Sequence, residues 1–224
     1  MRTLFEILKD KLTVKPEPKD PTPAERIWNP ISAVPGKTYL SLDTLDYRGK
    51  NWHVESIQEY TVEIGGKSFK FVEYVLKDVG TENPVFFRIT PNGDAWQALI
   101  LDMSYDMEYV EDLDLAVQGK NKADGEVGES DEPLKLNLPD DTSYWRIENV
   151  MIAYPAEVLT VKEKSSCDGV RYSAERIKFW DYWREAVQDG VKATEYCYVE
   201  MKDLTGWFQI KRGFEIDPNQ VSVF

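Results

Sequence analysis

The clearest pattern in the chain is an alternation of apolar and polar positions that begins near residue 37. It runs from Tyr39, is interrupted by a glycine-containing turn, and resumes at Trp52. Period-two alternation on both sides of a turn predicts a β-hairpin. Gly65 and Gly66 then separate two further strand-like runs, and paired glycines favour a tight turn because they readily adopt positive φ angles. This part of the chain is therefore predicted to be rich in antiparallel strands.

The later segments are less uniform. Residues 84–89 predict another strand, whereas residues 96–110 suit a buried strand or a short helix equally well. Residues 119–141 are rich in Gly, Asp, Glu, Lys and Pro and have almost no apolar periodicity, which predicts an acidic loop or linker. A second strand-rich block follows from residue 142 to residue 224.

The N-terminal residues 1–36 form a different kind of segment. Within residues 2–12 the apolar positions recur at helical spacing, which predicts a short amphipathic helix. Its apolar stripe consists of Leu4, Phe5, Leu8 and Leu12. Three prolines within residues 15–21 favour an extended tether. The stripe is expected to dock on the body of the chain, on a second copy in a homo-oligomer, or on a protein partner or membrane surface.

An internal repeat relates the two strand-rich blocks, residues 37–118 and 142–224. An offset of 125 residues aligns identical residues in five places: Val62 with Val187, Gly65 with Gly190, Lys67 with Lys192, Lys77 with Lys202 and Asp78 with Asp203. About one such identity is expected by chance. A duplication accounts for the match, and so does the general likeness of two meanders. The predicted fold is all-β, with two related β-meander repeats forming small barrels or sandwiches, separate or sharing one sheet.

Composition and charge narrow the class of protein. The chain has 224 residues, a formal net charge of −13 and a pI near 4.6. Such a field repels nucleic-acid backbones and anionic lipids and attracts cations, cationic small molecules and basic proteins. No apolar run approaches the roughly 18 residues of a membrane span. We therefore expect neither nucleic-acid binding nor a membrane span.

The first ten residues and the cysteines bear on location. Charged residues interrupt the apolar core that a signal peptide needs. Two cysteines, Cys167 and Cys197, are too few for a disulfide scaffold, although a single bridge between them stays open. These features predict a cytoplasmic protein.

Residues suited to catalysis or metal binding are scarce. His53 is the only histidine, and with two distant cysteines it cannot form a zinc or iron site. No serine-nucleophile, P-loop or dinucleotide motif is present. We interpret His53 as structural and expect no metal, no cofactor and no catalytic set. The acids Asp102, Asp106, Glu108, Glu111, Asp112 and Asp114 could hold a hard cation or meet a basic partner, but a solvated face is the preferred interpretation.

The most unusual segment is the aromatic run at residues 179–185, Phe-Trp-Asp-Tyr-Trp-Arg-Glu. On a strand, Trp180 and Tyr182 share one face, whereas Phe179, Asp181 and Trp183 share the other. Either both faces are core, or one presents a flat aromatic surface that can bind a ligand or partner. The candidate surface residues are Trp180, Asp181, Tyr182, Trp183, Glu185 and Trp207.

Two stretches give the chain a loose resemblance to known sequences. Residues 45–50, Leu-Asp-Tyr-Arg-Gly-Lys, and the aromatic run at residues 179–185 resemble uncharacterised bacterial β-rich domains. That resemblance implies no activity, substrate or site residue.

These observations favour a non-enzymatic cytoplasmic module for binding or assembly, which uses the aromatic surface of the second repeat. One alternative is a hydrolase of carbohydrate or another small polar ligand, because Asp181 and Glu185 lie beside the aromatic rings and such enzymes need two carboxylates within roughly 5–10 Å. Another is a structural subunit of an oligomer held by the N-terminal stripe.

Overall fold

The protein is nearly all β in its computed structural model, which describes residues 2–3, 26–44, 46–64, 67–78, 81, 83–92, 95–107, 135–146, 156–165, 170–173, 177–202 and 207–224. The strands are β1 (Arg2–Thr3), β2 (Tyr39–Leu42), β3 (Asn51–Ile64), β4 (Lys67–Lys77), β5 (Val85–Asn92), β6 (Ala95–Met107), β7 (Lys135–Asn137), β8 (Ser143–Arg146), β9 (Ala156–Ser165), β10 (Val170–Ser173), β11 (Ile177–Gln188), β12 (Val191–Lys202), β13 (Trp207–Glu215) and β14 (Val221–Val223). A short 3-10 turn, Pro218–Gln220, precedes β14.

Eight of these strands form a closed antiparallel barrel. The order around it is β3, β4, β5, β6, β13, β12, β11 and β9. Strand β9 completes the ring because it also pairs with β3, where Tyr60 lies opposite Val161. Each backbone edge inside the ring is thus paired, which removes the open sheet edge that exposes unpaired backbone groups.

Short strands extend the sheet at two places on this ring. Strands β2, β14 and β1 continue outward from the start of β3. The hairpin formed by β7 and β8 continues from the middle of β11, where Trp145 lies opposite Trp183. Both predicted blocks therefore contribute to one sheet. Of the two alternatives given above, separate blocks or blocks that share a sheet, the structure has the second. Whether the blocks arose by duplication stays a prediction.

Two apolar clusters cover the outer face of the barrel. The first outer cluster lies on β3 to β6 and is covered by residues around Ile31, Leu40 and Val221. The second outer cluster lies on β11 to β13 and is covered by the β7–β8 hairpin through Leu136 and Tyr144. Apart from β9, the strands of the barrel are therefore buried on both faces along much of their length, because a third cluster fills the interior. Its buried members are Tyr60, Val62, Phe71, Val75, Phe86, Leu99, Leu101, Ile177, Phe179 and Tyr198.

Several predictions about individual elements can be compared with the structure. The mainly β content is confirmed, as is the hairpin of β2 and β3, whose turn contains Gly49 with a φ of 80°. The ambiguous residues 96–110 form a strand, β6, as far as Met107. The predicted loop at 119–141 is wrong at its end, because residues 135–137 form β7, where Leu136 is buried under the second half of the barrel.

The predicted N-terminal helix is not observed. Arg2 and Thr3 form strand β1 against β14, because backbone pairing with a free edge replaces helical hydrogen bonds there. Within the described residues there is no α-helix. The stripe residues Leu4, Phe5, Leu8 and Leu12 lie outside the described residues, as do Gly65 and Gly66. No helix in the described part of the chain combines the length and apolar character required to cross a membrane.

Candidate ligand-binding site

Among the described residues, four buried charged side chains lie inside the barrel, and we call them the interior quartet: Glu73, Arg88, Glu200 and Lys211. Each is nearly inaccessible to solvent. They are there because successive residues on a strand point to opposite faces. On β4, for example, Val72 and Tyr74 point to the first outer cluster, whereas Phe71 packs in the interior and Glu73 contacts Arg88 and Lys211 there.

The quartet is a closed network of ion pairs. Arg88 donates through Nε and Nη2 to Glu73 Oε2 at 2.9 and 2.6 Å, and through Nη2 to Glu200 Oε1 at 3.1 Å. Lys211 Nζ donates to Glu73 Oε1 at 2.6 Å and to the two oxygens of Glu200 at 3.1 and 3.3 Å. Each cation contacts both carboxylates. Two positive and two negative charges therefore cancel, which is the condition for burying charges at tolerable cost.

Aromatic rings enclose the two cations of the quartet. The Arg88 guanidinium carbon lies 4.4 Å from the ring centre of Phe71 and 4.3 Å from that of Tyr198. Lys211 Nζ lies 4.1 Å from the ring centre of Phe86. The negative face of an aromatic ring attracts a cation, most strongly where water is excluded. The barrel interior thus combines carboxylates and ring faces around positive charge.

The protonation of the quartet follows from its geometry. Burial alone would raise the pKa of Glu73, but the positive charges of Lys211 and Arg88 outweigh it and hold that pKa below the ordinary value. For Arg88, burial acts to lower the pKa, and Glu73 and Glu200 more than compensate and raise it. Glu73 and Arg88 are therefore both ionised at neutral pH.

A cavity of about 350 Å³ opens at one end of the barrel, and we call it the mouth cavity. Lys211 and Glu200 of the quartet belong to its lining, whereas Glu73 and Arg88 do not. The described residues that line it are Glu55, Ser56, Gln58, Tyr60, Val75, Pro84, Phe86, Met103, Glu163, Ile177, Glu200, Gln209 and Lys211. A volume of this size is at the lower end of those that hold small molecules.

A short hydrogen-bond chain crosses the wall of the mouth cavity. The Tyr60 hydroxyl donates to Gln58 Oε1 at 2.8 Å, and Gln58 Nε2 donates to Glu163 Oε1 at 3.5 Å. Burial, followed by the negative charges of Glu200 and Glu73, raises the pKa of Tyr60 well above its ordinary value. The phenol therefore stays protonated. Its oxygen keeps lone pairs that can accept a hydrogen bond from a ligand.

The paired carboxylates of the interior do not have the properties that glycoside hydrolysis needs. Glu73 and Glu200 are close neighbours, because both contact Lys211 Nζ. A general acid, however, needs a raised pKa, whereas that of Glu73 is lowered. Glu73 is also fully buried and does not line the mouth cavity.

A second cavity, of about 320 Å³, lies outside the barrel between the covers of the two outer clusters. Its polar groups largely satisfy one another. Tyr47 donates to Asp102 at 2.6 Å, and Arg212 donates to Asp140 at 2.7 Å and to Ser104 at 2.6 Å. This cavity lies between the barrel and its covers, whereas the mouth cavity enters the closed ring itself.

Of the residues predicted to form an aromatic surface, some are buried in the core and the others are half-buried or exposed. Trp180 and Tyr182 have 0% exposure and belong to the second outer cluster. A partner cannot reach them there, because the β7–β8 hairpin covers that face. Asp181 and Trp183 are half-buried, and Glu185 is exposed. The aromatic run is therefore core on both faces over most of its length, since Phe179 packs inside the barrel.

Trp207 does not join this group. It is 39% exposed and lies opposite Lys202, which in turn lies opposite Ile177. Six residues of β11 separate Ile177 from Trp183, a distance of about 20 Å at roughly 3.3 Å per residue. Trp207 therefore lies two strands away from the start of β11, whereas Trp183 lies near the middle of β11, so the predicted site residues do not form one surface.

The other candidate residues have structural surroundings. His53 lies opposite Tyr39, with ring centres 5.3 Å apart. Of the acidic cluster, Asp102 accepts from Tyr47 and Asp106 is exposed, while the remaining acids lie outside the described residues. Cys197 is a free, buried thiol, and Cys167 is not among the described residues. In the described part of the chain, no group of three or more His, Cys, Asp and Glu is placed to hold a metal ion.

The interior quartet was not predicted from the sequence, although one position of the sequence indicates it. Glu73 stands within the run Phe-Val-Glu-Tyr-Val at residues 71–75, which is apolar on both faces of a strand. A charge at such a position must be paired in the folded protein.

Comparison with protein-family models, with curated proteins and with solved structures finds no match for this chain.

Proposed function

We propose that the protein is a non-enzymatic binding protein that holds a small polar ligand in the mouth cavity. The observation that supports this most directly is the cavity itself, which penetrates the end of a closed barrel and presents polar groups on rigid strands. Eight-stranded barrels are wide enough to hold one small ligand at an open end. The proposal keeps the binding role expected from the sequence but moves it away from Trp180 and Tyr182.

The interior quartet supports a binding role over a catalytic one. Both of its carboxylates are held by Arg88 and Lys211, and Glu200 and Lys211 form a fixed floor beneath the cavity. A rigid floor fixes the depth to which a ligand can enter. Preorganised walls also reduce the entropy lost on binding.

The test uses two methionines as reporters on opposite sides of the sheet. Met103 lines the mouth cavity, whereas Met201 is buried in the second outer cluster. Protein labelled with ¹³C at the methionine methyl groups is titrated with separate mixtures of small diamines, diols, dicarboxylates and monosaccharides. We expect at least one class to shift the Met103 methyl signal in a saturable way and to leave Met201 unchanged.

Gln209→Trp supplies the blocking variant, because Gln209 is half-buried and lines the cavity. Its added ring should fill the cavity and abolish the Met103 response. Gln97→Trp is the matched control, since Gln97 is also half-buried but lies six residues before Met103 on β6, toward the other end of the barrel. The proposal is wrong if no mixture moves Met103, or if the response persists in Gln209→Trp.

A further inference from the structure

The charges that line the mouth cavity are predominantly negative. Its charged members are Glu55, Glu163, Glu200 and Lys211. Lys211 and Glu200 belong to the interior quartet, in which the charges cancel. The remaining two, Glu55 and Glu163, are both carboxylates.

The Glu55 carboxylate also contacts a lysine outside the cavity. Lys77 Nζ lies 2.8 Å from Glu55 Oε1, and both side chains are more than one-third exposed. An ion pair that is open to water contributes little and exchanges easily. Glu55 can therefore turn from Lys77 to a cation that enters the cavity.

The barrel already holds two cations by the same chemistry. Lys211 Nζ sits on the face of Phe86 and contacts two carboxylates. Phe86 and Tyr60 also line the mouth cavity, and the Tyr60 ring stacks on Phe71 with centres 4.6 Å apart. An ammonium group that enters here meets carboxylate oxygens, the lone pairs of the Tyr60 hydroxyl and aromatic rings, each of which favours positive charge.

The volume limits the size of such a ligand. At about 30 Å³ for each water molecule of liquid, a cavity of about 350 Å³ corresponds to roughly twelve waters. A linear diamine with five carbon atoms has seven non-hydrogen atoms and fits this space. The apolar side chains of Val75, Met103 and Ile177 supply contacts for its methylene groups.

We propose that the ligand of the mouth cavity is a small alkylammonium cation, with Glu163 and Glu55 as its carboxylate partners and Tyr60 and Phe86 as its aromatic walls. This inference rests on the proposed function, because it names the ligand class for the same cavity. It also agrees with the formal net charge of −13, which attracts cations over a long range.

The test compares three probes of matched length by isothermal titration calorimetry. The probes are 1,5-diaminopentane, the neutral 1,5-pentanediol and the dianion glutarate. We expect saturable binding of the diamine, binding of the diol at least about ten-fold weaker because it lacks charge-assisted hydrogen bonds, and no binding of glutarate. Diamine affinity should also fall as salt is added, since Glu55 and Glu163 are not fully buried.

Glu163→Gln tests the named partner, because it removes the charge and keeps the shape. It should weaken diamine binding roughly 10- to 100-fold, the effect of losing one charged hydrogen bond. Glu185→Gln is the matched control on an exposed residue of β11 outside the cavity lining, and it should change the affinity less than about two-fold because water and salt screen it.

The outcomes separate this inference from the proposed function. If the diol or glutarate binds as tightly as the diamine, or if none of the three produces heat, the inference of a cation is overturned. The methionine titration still decides whether the cavity binds any small molecule. If the diamine binds equally well to Glu163→Gln, the assignment of its partner is overturned.

Discussion

The two faces of the barrel strands differ in the chemistry of what they bury. On β5, Phe87 packs in the first outer cluster, whereas the next residue, Arg88, is one of the four charges in the interior. In an ordinary two-layer sheet the polar face meets solvent. Around Phe87 and Arg88 neither face does, so the charged positions inside the barrel must be neutralised by one another. The apolar outer face is tolerant of small rearrangements, but the inner face depends on an exact count of charges.

The largest expected loss of stability comes from removing one charge of the interior quartet. Arg88→Met leaves Glu73 and Glu200 with only Lys211, and a buried uncompensated charge costs about 3–5 kcal/mol. The free energy of unfolding, from urea denaturation at pH 7, should fall by that amount. Phe87→Ala should cost a similar amount through loss of packing.

The dependence on pH distinguishes those two variants. Without Arg88, the excess carboxylate charge raises the pKa of the pair, so stability should recover partly as the pH falls and a carboxylate takes up a proton. Phe87→Ala introduces no new titration and should keep the wild-type pH profile. Equal pH profiles would contradict the assigned charge balance.

A somewhat smaller effect is expected when the two faces of β11 are compared. Trp180→Ala empties a fully buried position in the second outer cluster and should cost about 3–4 kcal/mol. Trp183→Ala removes a half-buried ring and should cost less than about 1 kcal/mol. Both values come from urea denaturation. If Trp180→Ala left the stability unchanged, the assignment of that face to the core would be wrong.

Acid should weaken the interior more than the outer face. The pKa of Glu73 is lowered from its ordinary value of 4.5, so its stabilising contribution is present above that value and is lost as the pH falls toward the lower folded-state pKa. Wild-type stability should therefore decline from pH 5 downward in urea denaturation. This loss should be gradual, because the lowered pKa spreads it over the acidic range.

An apolar replacement of the whole quartet serves as the control for this acid effect. The quadruple variant Glu73→Leu, Arg88→Met, Glu200→Leu and Lys211→Met should be at least as stable as wild type at pH 7, since apolar replacement of buried ion networks is often neutral or stabilising. Its stability should fall less on acidification. An undiminished acid response would place the titrating groups elsewhere.

The smallest expected effect concerns the reactivity of the Cys197 thiol and leaves the stability of the protein unchanged. Burial raises the pKa of the Cys197 thiol, so little reactive thiolate is present at neutral pH. In a Cys167→Ser variant, alkylation of Cys197 by iodoacetamide should be at least about 100-fold slower in buffer than in urea, because it requires local opening. Comparable rates in both would mean that the second outer cluster is open to solvent.

Much of the local structure could be predicted from the sequence because it depends on neighbouring residues. The alternation from Tyr39 and the turn at Gly49 define the hairpin of β2 and β3, and the long apolar runs become the strands of the barrel. The prediction of an N-terminal helix was wrong at Arg2 and Thr3, which pair with β14. The helical spacing of apolar residues does not reveal that the edge of another strand is available for pairing.

The site depends on contacts that local patterns do not contain. Glu73 meets Lys211 only because the barrel closes, and the two are 138 residues apart in the chain. Likewise, alternation showed that Trp180 and Trp183 face opposite sides, but the β7–β8 hairpin decides which side is covered. The first strand of that hairpin, β7, lies in a segment whose polar composition resembles a loop.

Closure of the barrel through β9 also has a consequence for how the chain folds. Gln58 and Glu163, on the strands that close the ring, are 105 residues apart, and Arg88 and Glu200 are 112 residues apart. Contacts between such distant residues form only with a large loss of chain entropy, because a long loop must be closed, and this makes folding slow. During synthesis, Glu73 and Arg88 emerge long before Glu200 and Lys211. The first two must therefore stay hydrated until the last strands arrive, so the expulsion of water from the interior is a late step of folding.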